Sequence, residues 1–151
     1  MGYSTSFNGT VKLNKQLSQE DKTFLTKLSE TRRMARNIEG YGVEGEFYVD
    51  SGLNDYDDPT VVNHNQPPST QPGLWCQWTP TQDGWGIEWD EGEKFYEYVE
   101  WLQYIIDWIA PKGYIANGEI EWYGEDRDDM GKIIVKNNQI TIKHGKISYE
   151  E

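Results

Sequence analysis

The spacing of apolar positions changes several times along this 151-residue chain, and each change marks an element. Residues 4–13 place Phe7, Val11 and Leu13 among polar neighbours, the period-two pattern of a half-buried strand, with a bulge or bend at Asn8-Gly9. The pattern then lengthens. Ser18 is a good N-cap, Glu20 and Asp21 fill a first turn, and Phe24, Leu25, Leu28 and Thr31 lie along one helical face. Arg32, Arg33 and Arg36 are expected to close that helix, where cations complement its carbonyl end. Residues 44–50 read as a second strand. Residues 51–73 hold Asn, Asp, Pro and Gly with few apolar residues, which predicts a long irregular loop.

Residues 74–78 alternate again, with Leu74, Cys76 and Trp78 on one side and Trp75 on the other, and residues 86–90 form the returning strand of a hairpin. The strongest helical pattern follows. Asp90 and Glu93 have capping-box spacing, and the helix should run from Asp90 to about Ala110, before Pro111 and Gly113 end it. Phe95, Val99, Leu102, Ile106 and Ile109 form its core stripe, flanked by Tyr98 and Ile105. Trp101, Tyr104 and Trp108 lie further round, so the apolar arc is wider than one sheet requires; a second layer or an interface must cover it. Three more strands complete the chain, the last two joined by a tight turn at Asn137-Asn138. The order β-α-β-β-β-α-β-β-β predicts a single α+β domain, with two helices packed on one face of a mostly antiparallel sheet.

Composition adds a question to this plan. Six of the seven tryptophans fall in residues 71–113, a segment also crowded with carboxylates. The net charge is −12, and it is unevenly spread: residues 37–73 carry seven acids and no base, and residues 74–130 carry fourteen acids against three bases. Such a surface repels nucleic acid and attracts cationic partners. The N-terminus has no secretory-signal pattern and no apolar run is long enough to span a membrane, so the chain is expected to be cytoplasmic. A single cysteine, Cys76, excludes an internal disulfide framework and multi-cysteine zinc sites; it reads as a small core hydrophobe.

Candidate chemistry is sparse. Glu125, Asp126, Asp128 and Asp129 supply oxygen ligands within five residues, but without the spacing of a calcium loop, so solvated turns explain them and no metal or other cofactor is expected. No nucleophile elbow and no phosphate loop occurs, which leans the reading away from an enzyme. Glu88 and Glu121, each followed by a tryptophan, could suggest a glycosidase pair, but strand alternation accounts for both as solvent-facing acids. Exposed tryptophans can stack on sugars, yet small sugar-binding modules are commonly secreted all-β domains, and most of these indoles are expected in the core.

The stretches VKLNKQLSQEDKTFLTKLSETRRMAR, QPGLWCQW, IEWDEGEKFYEYVEWLQYII and PKGYIANGEIEWYGEDRDDMGKIIVKNN together resemble a family of small proteins without an assigned activity. Its members occur in bacterial genomes, actinobacteria among them, and in phages or prophages. The resemblance implies a shared fold, cytoplasmic residence and phage ancestry, and it supplies no site residues. With the charge map, it leads to an expected role: a non-enzymatic inhibitor or nucleic-acid mimic that binds a basic, nucleic-acid-binding host protein. The contact residues expected are Glu88, Asp90, Glu93, Glu97, Glu100, Trp101, Tyr104, Asp107 and Trp108, facing a partner or a second copy of the chain. The alternatives are a small metal-dependent hydrolase built on Glu125 to Asp129, or a structural phage protein.

Overall fold

A nine-residue strand, β1 (Thr5–Leu13), runs through the centre of the sheet, and its sequence shows why it can. Thr5, Phe7, Val11 and Leu13 are buried, while Ser6, Asn8 and Lys12 face out. The structure, a computed structural model, describes residues 2–32, 34–36, 61–63 and 65–149. Nine residues of β1 pair without a break with β6 (Ala116–Gly124), from Thr5 opposite Gly124 to Leu13 opposite Ala116. The bulge expected at Asn8-Gly9 is therefore absent. Gly9 instead permits close approach, since a Cβ there would overlap the carbonyl oxygen of Glu119 on the neighbouring strand.

The full sheet has six strands in the order β4-β5-β1-β6-β7-β8, every neighbouring pair antiparallel. Its other members are β4 (Trp78–Pro80), β5 (Gly86–Trp89), β7 (Met130–Lys136) and β8 (Gln139–His144). Asn137 and Asn138 both take positive φ, 47° and 69°, as a two-residue hairpin turn requires. Pro80 is tolerated because β4 is an edge strand. One face of the sheet carries Phe7, Val11, Ile87, Ile120, Trp122, Ile133 and Val135 into a continuous core, closed by helices α1 (Gln19–Glu30) and α2 (Tyr98–Ile109). The protein is thus a single α+β domain of the expected class. No helix among the described residues is long and apolar enough to cross a membrane.

Several boundaries depart from the expectation. The first helix stops at Glu30, and Thr31 is already extended, so Arg32 and Arg36 are not its final turn. Side-chain hydroxyls back-bond along its second half: Thr26, Ser29 and Thr31 donate to the carbonyls of Lys22, Thr26 and Lys27. Ala35–Arg36 is instead a short strand, β2, paired with β3 (Val61–Asn63), which breaks up the predicted 51–73 loop. Arg33 and the strand expected at 44–50 lie outside the described residues.

The hairpin strand also moves, from residues 74–78 to Trp78–Pro80. Its partner β5 ends at Trp89 and the chain then turns away, and Gln77 ties the turn down: its Nε2 donates to the Glu93 carbonyl at 2.8 Å. The largest correction concerns the second helix, which begins at Tyr98 rather than Asp90. Asp90 accepts from the N–H of Gly92 at 2.8 Å, a local turn that competes with capping three residues on. Glu91, Lys94 and Glu97 all lie in the left-handed region, so residues 90–97 form an irregular acidic segment.

Within α2, Trp101, Leu102, Ile105, Ile106 and Ile109 are buried and Val99 is half-buried, so the buried stripe is rotated towards Trp101. The wide apolar arc has its second layer. Trp108 stacks on Phe24 of α1 with ring centroids 4.4 Å apart, and Gln71 donates to the Tyr104 hydroxyl at 3.2 Å.

Candidate binding groove at the head of the second helix

Where α2 begins, its first turn stands over the β6-β7-β8 side of the sheet. A groove of about 300 Å³ opens there between Glu97, Tyr98, Val99 and Glu100 on one side and Trp122, Ile142 and His144 on the other. Strand alternation supplies the second wall. Trp122 points to the core face of β6, and Ile140, Ile142 and His144 share that side of β8 at two-residue intervals. The His144 ring meets Trp122 edge-on, with centroids 5.5 Å apart at 87°.

Hydrogen bonds fix that wall. The Trp122 indole N–H donates to Asp129 Oδ1 at 2.9 Å, and the Tyr3 hydroxyl donates to Asp129 Oδ2 at 2.7 Å. Tyr3 also accepts from the Asp126 N–H at 2.9 Å. The opposite wall carries the charge. Loss of solvent raises the pKa of Glu97, and the negative charge and side-chain hydrogen bond of Glu100 raise it further. Burial, helped by the nearby charges of Asp129 and Glu100, pushes the Tyr98 phenol up to about 12, so it stays protonated at neutral pH. Neither Glu97 nor Glu100 has a cation partner among the described residues. Two crowded carboxylates above an aromatic and aliphatic wall suit a cation with a hydrocarbon stem, which the wall can cover while the carboxylates bind the head group.

The expected contact residues do not form one face. Glu100 and Asp107 lie on an exposed ridge of α2 with Gln103, which donates to Asp107 at 2.8 Å. Glu93 and Glu97 are exposed on the irregular segment that leads into the ridge. Asp90 begins the same segment, its carboxyl pKa raised by desolvation. Glu88, by contrast, points to the outer side of the sheet, away from α2, as do Glu119 and Glu121. Glu119 is already paired there with Lys132 at 3.6 Å.

Trp101 requires a correction. It is fully buried, so it cannot anchor a partner on the surface. Tyr104 and Trp108 are half-buried, the latter between Phe24 and the Lys112 ammonium, 4.5 Å from its ring centroid. Cys76 is buried as expected. In the 125–129 cluster, Glu125 accepts from the Ser4 N–H and Asp129 is held by Tyr3 and Trp122. Among the described residues no three His, Cys, Asp or Glu side chains gather in a way that could hold a metal ion. Sequence reasoning missed His144, Ile142, Trp122 and Tyr3 as parts of one site. The period-two pattern of β8 put His144 in line with Ile140 and Ile142, but it could not show what stood opposite.

Comparison with family models, with curated proteins and with solved structures gave no match, so none of the three bears on the resemblance to small bacterial and phage proteins.

Proposed function

We propose that the protein is an acidic, non-enzymatic binding protein that takes a lysine or arginine side chain of a basic protein partner into the groove at the head of α2. The observation that carries this reading is the Glu97–Glu100 pair, neighbouring carboxylates at the groove without a cation partner among the described residues, where loss of solvent and then the Glu100 charge raise the Glu97 pKa. Ion pairing with an incoming cation would relieve that repulsion, and Trp122 and Ile142 offer apolar surface to its methylenes. The exposed acids continue from Glu93 and Glu97 on the irregular segment to Glu100 and Asp107 on α2, where the helix rises by ~1.5 Å per residue. A surface that binds phosphate backbones presents arginines and lysines to such a row, so a nucleic-acid-binding host protein, competed away from its DNA, is the proposed partner class. The net charge of −12 steers such an encounter and makes it salt-dependent.

The test is capture from host-cell lysate by the wild type and by the double variant Glu97→Gln/Glu100→Gln, at low and high salt, with mass spectrometry of the eluates. Basic nucleic-acid-binding proteins should be retained by the wild type at low salt, released at high salt, and retained at least ~tenfold less by the double variant. Equal retention by both proteins would show that the groove is not the contact. A captured protein that keeps its DNA in the presence of excess wild type would remove the competition part of the reading.

A further inference from the structure

On the opposite side of the sheet lies a second groove, of about 710 Å³, that shares no lining residue with the first. Of the seven tryptophans, Trp85 alone is exposed, at 47%, and it borders this groove. Its indole is held out by a rigid turn between β4 and β5. Within the turn, Thr81 Oγ1 and the Trp85 N–H both donate to Asp83 Oδ1, at 2.6 and 3.0 Å. Its carbonyls are gripped from outside: Trp85 by the Leu13 N–H and Gly84 by the Leu17 N–H, each at 2.9 Å, and Asp83 by Gln16 Nε2 at 2.7 Å. The Lys22 ammonium donates to the Gln82 carbonyl, so α1 also braces the turn. An aromatic plate on a turn fixed this thoroughly loses little entropy when something stacks on it.

At the floor Gly86 lets β5 lie close against β1, since a Cβ there would stand 2.8 Å from Thr10 Cγ2 and 2.9 Å from the Val11 carbonyl oxygen. Around the floor stand hydrogen-bonding groups of both kinds. Lys12 donates, Asp83 and Glu88 accept, and Thr10 and Gln82 do either. The Thr81 hydroxyl and the Trp85 N–H hold the Asp83 carboxyl below the usual range, so it is ionised and retains acceptor capacity beyond those two donors.

From these features we infer that the Trp85 groove binds a neutral oligosaccharide, with one pyranose ring stacked on the indole and its hydroxyls bonded to Asp83, Glu88, Gln82 and Lys12. The aromatic face suits the C–H side of a sugar ring, and the alternating donors and acceptors suit hydroxyls, which are both. A single lysine against two carboxylates makes the groove a poor seat for phosphates, and a nucleic acid would also meet the overall charge of −12. The volume lies in the ordinary range for small-ligand sites. This inference does not depend on the groove at the head of α2.

The experiment uses the whole chain, labelled with nitrogen-15, titrated separately with cellohexaose, chitohexaose, maltohexaose and a ten-residue oligothymidylate. The reporter is the Trp85 indole N–H resonance, assigned by its loss in Trp85→Phe. At least one hexasaccharide should shift it saturably at concentrations up to ~10 mM, and Trp85→Ala should weaken that binding at least ~tenfold. Glu88→Gln leaves the ring in place and should weaken binding several-fold, so the test survives if Trp85→Ala misfolds by circular dichroism. The inference is overturned if no hexasaccharide shifts the resonance, if a folded Trp85→Ala binds as the wild type does, or if the oligothymidylate alone shifts it.

Discussion

Trp101 shows how much a single side chain can change a functional reading. Its indole is fully buried with Nε1 beside Gly73, and its N–H has no hydrogen-bond partner among the described residues. Burial of the ring is strongly favourable, while the unpaired donor is a cost. Trp101→Ala should therefore lose ~3–5 kcal/mol in urea unfolding, as large core truncations do. Trp101→Phe should lose distinctly less, since it keeps most of the apolar volume and removes the unpaired donor. A Phe variant as damaged as the Ala variant would mean that the N–H has a partner after all. Asp21 provides a second test at this scale. Burial alone would raise its pKa, but the Tyr114 hydroxyl at 2.7 Å, the Ser18 hydroxyl and the Lys112 ammonium outweigh that and lower it. A carboxyl whose pKa is depressed by folding adds stability above its unfolded pKa and loses it as pH falls through the folded value. Asp21→Asn should thus be less stable than the wild type near neutral pH, with the difference shrinking as the pH falls below the ordinary aspartate range. A constant difference across that range, in melts at successive pH values, would exclude the linkage.

Among the elements, the segment before α2 holds an unusual concentration of strain. Glu91, Lys94 and Glu97 have φ of 67°, 57° and 57°, a region that disfavours side chains with a Cβ. Glu91 is exposed, so Glu91→Gly should relieve its share without loss of packing and raise stability by about 0.5–1 kcal/mol, after allowing for glycine's greater freedom when unfolded. Chemical denaturation would measure this directly, and a destabilised variant would show that the Glu91 side chain makes a contact worth more than the strain. The same segment explains why the start of α2 was not legible in the sequence. Asp90 and Glu93 match a capping box, but Asp90 bonds to Gly92 and Gln77 reaches across from residue 77 to hold Glu93. Capping signals are local, and so is the Asp90–Gly92 turn, but the Gln77 bond to Glu93 comes from sixteen residues away. The end of α2 was legible for the converse reason, because Pro111 and Gly113 stop a helix through their own backbone chemistry.

At the scale of the whole molecule, the acids that composition places in one segment divide between two sides of the sheet. Glu88, Glu119 and Glu121 lie on the outer side with the Trp85 groove, while Glu97, Glu100 and Asp107 follow α2. Binding of a basic partner at the α2 groove should weaken as the pH falls through the raised pKa of Glu97, and the Glu97→Gln/Glu100→Gln protein should lose most of that dependence, measurable by calorimetry with an arginine-rich peptide. A pH profile unchanged by the double substitution would place the contact elsewhere. The sequence by itself determined the α+β class, which residues of β1 face the core, that Glu88 and Glu121 face out, the Asn137-Asn138 turn and the acidic net charge. Each of these follows from the alternation of side chains along a strand, from residues that suit only certain backbone angles, or from counting. Tertiary structure alone decided where α2 begins, that Trp101 is interior while Trp85 is exposed, and that Glu97 and Glu100 stand opposite Trp122 and His144. Those outcomes depend on β1 pairing with a strand that starts more than a hundred residues later, and local pattern carries no information about which distant surfaces such a pairing brings together.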